Sequence, residues 1–272
     1  MKIISDEYKN LNNFKNKFFN NNPFPHVVLD NFLDHNYFEK LKKFLISDNY
    51  YKAGKNFNSD VELNKSISLN EALPQKISDI VKELNSDLWV KILKSFTGID
   101  TLKATKLGNI KLANYHEMGT SGFLGSHVDH SKEPETGKPH VLNIILYLSS
   151  DWKDEFGGAT LLYDRYGKKI ITKVPYKKNR AVIFLHTPYS FHGVEKLSKN
   201  NNIKRKVIYV DYYSESFKPF KHLKLKFSND WFSHGTTFVL PNKFDYIKKK
   251  NWSYTKSYIL YQYNKIKSKF KN

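Results

Sequence analysis

The chain has 272 residues, of which 40% are hydrophobic and 15% aromatic, which is enough apolar material for one large globular domain or a domain with an appendage. It contains no cysteine, which excludes disulfides, thiolate metal sites and cysteine nucleophiles, so a bound metal must be held by His, Asp or Glu. The formal net charge is +19, which raises a nucleic acid, an anionic substrate or an anionic surface as partners.

The first part of the chain predicts a soluble protein that begins with a strand and two helices. Residues 1–19 carry scattered charges, and no later run approaches the roughly 18 apolar residues of a membrane span, so a cytoplasmic location is expected. FPHVVLDNFLD begins with alternating apolar residues and changes after Asp34 to helical spacing. A second helix is predicted across PQKISDIVKELNSDLWVKILKSF, where apolar residues recur at threes and fours. The helical layer is therefore expected within residues 35–97.

Short β-rich runs separated by Gly, Pro, Asn and Asp follow the helices. They are IKLANYH, VLNIILYLS, ATLLYD, KIITKV, RAVIFLH and KVIYVDYY. Several short strands at this spacing are typical of an all-β sandwich or barrel. The prediction is a mainly β protein with flanking α-helices, whose core is a double-stranded β-helix (jelly roll) at about residues 106–214.

The stretch GSHVDHS raises the question of a metal site. In an extended strand, residues i and i+2 point to the same side, so His127 and Asp129 can present an imidazole and a carboxylate to one ion. A third ligand from a facing strand would complete the two-His-one-carboxylate triad that holds Fe(II) and leaves coordination positions open. Because the pair alone is a weak motif, the surrounding sequence decides whether a metal site is predicted. Downstream, SFHGV delivers His192 after an apolar strand, and Arg205 opens another strand thirteen residues later.

Between about residues 23 and 214 the His and Asp motifs stand in a longer ordered series. In chain order the series is PFPHVVLDNFLD, NYHEMG, HVD, LNIILYLSSDW, FGGATLLYD, NRAVIFLHT, SFHGV and RKV. In this order the chain resembles the 2-oxoglutarate and Fe(II)-dependent oxygenases, and among them the prolyl 4-hydroxylase-like group. The resemblance implies that His127, Asp129 and His192 are iron ligands. It also implies Fe(II), 2-oxoglutarate and O2 as cofactor and cosubstrates, with ascorbate as a candidate reductant.

The same resemblance implies residues for 2-oxoglutarate. Arg205 becomes the anchor for the distal carboxylate, a role that suits a planar guanidinium able to donate two parallel hydrogen bonds. Tyr115 matches a family position whose phenol contacts the cosubstrate, and Tyr147 is a weaker match. Two departures stand out: relatives with Arg often have Ser or Thr two residues later, where this chain has Val207, and prolyl hydroxylases proper often use Lys. A one-residue error in register would exchange Arg205 for a flanking lysine.

The remaining candidates have plainer interpretations. His130 would point away from the pair in a strand and is expected in a loop or at the surface. His116 is a candidate for the pocket wall, although a structural role is favoured. His186 is an alternative to His192 as the third metal ligand, but His192, in SFHGV, fits the motif pattern better. Gly157 and Gly158 are expected to make a tight turn between strands and to have no phosphate-binding role.

The expected activity is hydroxylation of an unactivated C–H bond in an amino acid, a peptidyl residue or a small metabolite, with release of succinate and CO2. Asp129 favours hydroxylation, since related halogenases lack this carboxylate. Two alternatives stay open: nucleic-acid demethylation by the same chemistry, and a non-catalytic, metal-stabilised jelly-roll binding module. Demethylases typically carry a second arginine six residues after the anchor, where this chain has Asp211, so nucleic acid is the weaker partner.

Residues 215–272 form a basic, aromatic C-terminal extension to the oxygenase domain of residues 1–214. TKSYILYQYNKIKSKF has a weak helical stripe. The aromatic residues predict that the extension packs on the core, and it could also cover the site, mediate a homodimer or bind an acidic partner. Abundant Lys beside Asn is typical of an AT-rich genome, so the charge is interpreted first as compositional drift.

Overall fold

Helices flank an antiparallel β-sheet in the computed structural model of this chain. The structure describes residues 2–46, 53–68, 72–105, 114–200, 203–215, 231–240 and 252–270. The helices are α1 (Lys15–Asn20), α2 (His35–Leu45), α3 (Gln75–Leu84), α4 (Asp87–Thr97) and α5 (Trp252–Lys269). The strands are β1 (His26–Leu29), β2 (Ala53–Phe57), β3 (Glu62–Ser68), β4 (Leu102–Ala104), β5 (Tyr115–Val128), β6 (His140–Tyr147), β7 (Thr160–Tyr163), β8 (Ile170–Val174), β9 (Arg180–Leu185), β10 (His192–Val194), β11 (Arg205–Ser214) and β12 (Thr237–Phe238).

The strands form one antiparallel network that curls into a nearly closed barrel. Its main path runs β1-β9-β6-β11-β5-β10-β7-β8. The long strand β5 also pairs with β3 and β12, and β4 pairs with β11. Neighbours such as β11 and β5 are far apart in sequence, which is the crossed connectivity of a jelly roll. The predicted fold class, mainly β with flanking helices and a jelly-roll core, is confirmed.

A helical layer packs on the outer face of the barrel through a large apolar core. Asp34 caps α2, because its side chain accepts hydrogen bonds from the backbone of the first helical turn. On the other side of the core, the Trp89 indole donates to the Tyr212 hydroxyl of β11 over 3.0 Å. That hydroxyl in turn donates to the Leu84 carbonyl over 2.6 Å. The helices therefore fix the position of β11 from outside the barrel.

Two features of the N-terminal region differ from the sequence prediction. The predicted second helix is two helices, since Ser86 adopts an extended conformation and its side chain accepts from the Trp89 amide to start α4. The hairpin β2–β3 lies between α2 and α3 and was not predicted. β3 pairs with β5, for example Leu63 opposite Phe123. Because an isolated hairpin depends on such pairing, local pattern alone did not reveal it.

The C-terminal extension packs on the barrel through β12 and α5. β12 pairs with the end of β5, with Phe238 opposite His127. Tyr261 of α5 is buried, and its hydroxyl donates to the Pro188 carbonyl over 2.7 Å. Phe232 packs on Tyr261 with ring centroids 5.1 Å apart. Residues 216–230 and 241–251 lie outside the described part, and within the described part no helix has the length and apolar character to cross a membrane.

Candidate metal centre and cosubstrate pocket

Strands β5 and β10 bring His127, Asp129 and His192 together; we call these residues the triad. His127 lies directly opposite His192 in the β5–β10 register. Asp129 follows two residues after His127, just beyond the end of β5. His127 Nε2 is 3.4 Å from Asp129 Oδ1, and His192 Nε2 is 3.3 Å from Asp129 Oδ2. All three ligand atoms lie within 4.8 Å of one another.

Hydrogen bonds on the far side of each imidazole orient the triad. His127 Nδ1 lies 2.9 Å from the Gly125 carbonyl, and His192 Nδ1 lies 3.1 Å from the Ser190 carbonyl. Since a carbonyl only accepts, each Nδ1 is the protonated nitrogen, and each Nε2 lone pair faces the carboxylate. Three acceptors that face one another in a buried site require a cation between them. The donor set therefore fits a metal such as Fe(II).

The electrostatics of the triad agree with this assignment. Burial alone would raise the pKa of the Asp129 carboxyl, but the adjacent imidazoles of His192 and His127 hold that pKa well below its usual value. Burial lowers the pKa of His127, and His192 beside it lowers the pKa further. The triad therefore offers a carboxylate and a neutral imidazole at neutral pH, which are the ligand forms that metals bind.

Two side chains outside the triad hold the Asp129 carboxylate. The Tyr209 hydroxyl donates to Asp129 Oδ2 over 2.6 Å, and Asn143 Nδ2 lies 3.3 Å from the same oxygen. Burial and the Asp129 charge raise the pKa of Tyr209 well above its usual value, so its phenol stays a donor. Such outer groups fix the orientation of a metal-bound carboxylate.

Arg205, the first residue of β11, is buried on the cavity side of the barrel. A cavity of about 80 Å³ is lined by the triad and Arg205 together, with Thr160 also in its wall. Arg205 Nε donates to the Gly158 carbonyl over 2.8 Å, and Nη2 lies 3.4 Å from Thr160 Oγ1. Within the described residues, no carboxylate lies within ion-pair distance of this guanidinium. A buried cation with only neutral partners fits the carboxylate of a bound cosubstrate.

The register of β11 separates Arg205 from its neighbouring lysines. Lys206 points toward the helical layer, where its Nζ donates to the Leu45 carbonyl over 2.7 Å. Lys204 Nζ lies 3.1 Å from Glu117 Oε2. Val207, two residues after Arg205, returns to the cavity wall. The structure therefore places the arginine, and neither lysine, beside the triad.

The two tyrosines expected near the cosubstrate lie in different places. Tyr147 contacts the Arg205 site, because its ring centroid is 5.3 Å from Arg205 Cζ and its hydroxyl donates to Thr160 Oγ1 over 2.6 Å. Tyr115 lies in the apolar core on the other face of β5 and donates to Glu117 over 2.9 Å. The placement of Tyr115 thus differs from the expectation of a cosubstrate contact, because strand alternation turns it to the helical layer.

The cavity wall includes residues that sequence reasoning ranked low or missed. His116, for which the structural role was favoured over the pocket wall, lines the cavity and stacks on Tyr209 with centroids 5.9 Å apart. Gly158 supplies the carbonyl that holds Arg205, and its φ of +75° is one that glycine tolerates. A Cβ there would lie 3.2 Å from Arg205 Cδ. The adjacent glycines of FGGAT were the available signal, but a turn alone does not reveal what its carbonyl contacts.

A wider cavity of about 480 Å³ lies outside the triad. Its wall includes Lys55 and Phe57 of β2 and Glu62 of β3. The C-terminal extension contributes Phe238, which stacks on His127 with centroids 5.1 Å apart, and Tyr254. The unpredicted hairpin and the extension therefore build the outer wall of the site.

The remaining histidine candidates lie beside the triad without joining it. His186 is buried, and its Nε2 lies 3.3 Å from the backbone carbonyl of Asp129, so it does not face the carboxylate as a rival ligand would. His130, expected at the surface or in a loop, is only partly exposed and its Nε2 lies 3.8 Å from Asp211 Oδ2.

Residues 110–213, which contain the triad and Arg205, match the sequence profile of the 2OG-Fe(II) oxygenase superfamily. The chain carries a 2OG-Fe(II) oxygenase domain. The predicted family, the enzyme class of a 2-oxoglutarate-dependent dioxygenase and the use of Fe(II) and 2-oxoglutarate are thereby confirmed. No curated protein was found to match the chain in sequence.

Solved structures of other proteins are similar to this chain. A prolyl 4-hydroxylase from Pseudomonas putida superposes with a TM-score of 0.52 at 12% identity, covering 76% of this chain and 99% of that chain. A prolyl hydroxylase from Trichoplax adhaerens, in complex with a hypoxia inducible factor peptide fragment, gives 0.46 at 16% identity, covering 81% and 95%. HygX from Streptomyces hygroscopicus, with nickel, 2-oxoglutarate and hygromycin B bound, gives 0.47 at 11% identity, covering 74% and 86%.

Proposed function

We propose that the protein hydroxylates an unactivated C–H bond of an amino acid, a peptidyl residue or a small metabolite. The observation that carries this proposal is the shared cavity of the triad and Arg205. Bound Fe(II) and 2-oxoglutarate would supply the oxidising chemistry, in which O2 is reduced, 2-oxoglutarate is converted to succinate and CO2, and one oxygen atom enters the substrate. His127, Asp129 and His192 would hold the metal.

Each remaining group has a role that follows from its contacts. Arg205 would bind the distal carboxylate of 2-oxoglutarate by charge-assisted hydrogen bonds, and Tyr147 and Thr160 would fix the guanidinium beside it. Tyr209 would keep Asp129 oriented toward the metal. Ile145 and Val207 line the same cavity and would limit water there.

The outer cavity supports a small polar or peptidyl substrate. Lys55 and Glu62 place both signs of charge in its wall, and Phe57 adds an apolar ring. Such a mixed wall suits a molecule that carries an amine, a carboxylate or a peptide group. A nucleic acid fits less well, because Asp211 occupies the position of the second demethylase arginine and also lines this cavity.

The test is a succinate-formation assay with Fe(II), 2-oxoglutarate and a panel of amino acids, peptides and small metabolites. We expect at least one panel member to raise succinate formation by the wild-type protein and to gain one oxygen atom by mass spectrometry. Asp129→Ala should lose both signals. A metal-bound wild-type protein that consumes no 2-oxoglutarate would favour the non-catalytic binding module. Succinate formation stimulated only by methylated DNA or RNA would favour demethylation.

A further inference from the structure

A second imidazole–carboxylate cluster lies beside the triad. It consists of His130, just after β5, His140, the first residue of β6, and Asp211 of β11, and we call these residues the second cluster. One ligand atom from each lies within 4.8 Å of the others. His140 Nε2 is 3.3 Å from Asp211 Oδ1, and His130 Nε2 is 3.8 Å from Asp211 Oδ2.

The backbone hydrogen bond of the His140 ring repeats that of the triad histidines. Its Nδ1 lies 2.9 Å from the His130 carbonyl, so Nδ1 carries a proton and Nε2 faces the Asp211 carboxylate. Burial disfavours the charged ring, but the Asp211 charge raises the pKa of His140 above its usual value, so a proton and a metal ion compete for Nε2. The His140 side chain is fully buried, and within the described residues its Nε2 has no hydrogen-bond partner. An imidazole nitrogen and a carboxylate oxygen 3.3 Å apart in a buried site are held together by a cation, either a proton on the nitrogen or a metal ion between the two. His127 and His192 face Asp129 in the same way, at 3.4 and 3.3 Å.

An outer shell also surrounds the second cluster. The Tyr213 hydroxyl lies 2.8 Å from His130 Nε2 and donates to Asp211 Oδ2 over 3.3 Å. Asn143 Nδ2 lies 3.4 Å from Asp211 Oδ1. The His186 ring stacks on His140 with centroids 4.0 Å apart. Partners of this kind hold metal ligands in place and are present before an ion binds.

We propose that the second cluster binds a divalent first-row transition metal ion of the Zn²⁺ class. Two imidazoles and one carboxylate are the donors that Zn²⁺ takes, and bonds of about 2.0–2.2 Å allow ligand atoms about 3–4 Å apart. His130 would exchange its contact with Tyr213 for the metal, and Tyr213 would keep its hydrogen bond to Asp211. An entry path exists, because His130 and Asp211 line the outer cavity.

The test counts metal ions in the whole protein. Metal-free protein is equilibrated with Zn²⁺, excess ion is removed by gel filtration, and bound zinc is measured by mass spectrometry. We expect two equivalents in the wild type, one from the triad and one from the second cluster. Asp129→Ala and Asp211→Asn should each bind one equivalent, and the double variant none. His35→Ala, which removes an exposed histidine, should keep two.

Two outcomes would overturn the proposal. One is a wild-type protein that binds a single equivalent which Asp129→Ala abolishes, since a proton shared by His140 and Asp211 would then be the only cation. The other is a second equivalent that survives in Asp211→Asn and in His140→Gln, both checked for folding by circular dichroism. A single equivalent that Asp211→Asn removes and Asp129→Ala keeps would support the second cluster and contradict the triad, so the two assignments fail separately.

Discussion

The triad and the second cluster have the same donor types but are assembled differently. The triad takes two ligands from one strand end, His127 and Asp129, and one from the neighbouring strand. In the second cluster each residue comes from a different part of the sheet, so no short motif contains it. Asn143 contacts the carboxylates of both clusters, Asp129 over 3.3 Å and Asp211 over 3.4 Å.

The difference between the clusters shows what a strand pattern can and cannot reveal. Alternation in β5 places His127 and Asp129 on one side whatever the rest of the fold does. The approach of His140 to Asp211 depends on the pairing of β6 with β11, where Tyr213 lies opposite His140. Such pairing joins residues about seventy positions apart, and one sequence does not specify it. Chemistry and metal binding can therefore be assigned to each cluster only by separate variants.

The largest expected effect separates the clusters by activity. Asp129→Ala should reduce succinate formation to below about 1% of the wild-type rate, because loss of a metal ligand costs more than the about 10- to 100-fold that an outer group costs. His35→Ala is the control and should retain the wild-type rate. Turnover that survives in Asp129→Ala but is abolished in Asp211→Asn would transfer the chemistry to the second cluster.

The next prediction concerns the arginine, since the triad shares its cavity with Arg205. Arg205→Ala should raise the 2-oxoglutarate concentration for half-maximal rate by about 10- to 150-fold, the equivalent of a charge-assisted bond of about 1.5–3 kcal/mol. Iron affinity should change little, because among the described residues no hydrogen bond or ion pair joins Arg205 to the triad. The measurement is succinate formation against 2-oxoglutarate, with iron affinity determined separately.

Lys206→Ala is the matched control for the arginine. Its Nζ bonds to the Leu45 carbonyl in the helical layer, so its removal should affect stability and leave the 2-oxoglutarate requirement unchanged. The opposite pattern, with the effect in Lys206→Ala alone, would mean that β11 is shifted by one residue.

The sequence predicted the parts of the molecule that depend on local pattern. The capped start of α2 at Asp34 and the strands β6, β9 and β11 follow from side chains close together in the chain, whereas most of β5 was not predicted as a strand. The hairpin β2–β3 was missed because it depends on pairing with β5, and the break at Ser86 because apolar spacing continues across it. In the site, Tyr115 was matched by its place in a motif, but strand alternation points its side chain into the core beneath the helical layer. The next residue, His116, therefore faces the cavity.

A smaller effect distinguishes the outer shells of the two clusters. Tyr209→Phe removes the 2.6 Å hydrogen bond to Asp129 and should weaken iron binding at the triad by about 10- to 100-fold. Tyr213→Phe removes the hydroxyl beside His130 and Asp211 and should leave iron binding at the triad within about threefold. Competition with a metal chelator measures both. Equal losses in the two variants would show that the clusters act as one unit through Asn143.

The smallest expected effect concerns the basic charge, which differs between the extension and the cavity wall. Lys256, Lys267 and Lys269 are exposed on α5, and none of them lines the outer cavity, whereas Lys65 lines it. Replacing the three α5 lysines by Gln should change turnover by less than about twofold, because exposed charges are screened beyond about 10 Å at 0.1 M salt. Lys65→Gln should change turnover more, since Lys65 also lies 3.4 Å from Glu62 in the cavity wall.

Turnover of both variants is measured from about 0.05 to about 1 M salt, over which the screening length falls to about 3 Å. A steep salt dependence that the α5 substitutions remove would show that the extension recruits an anionic partner, and compositional drift would no longer account for its charge.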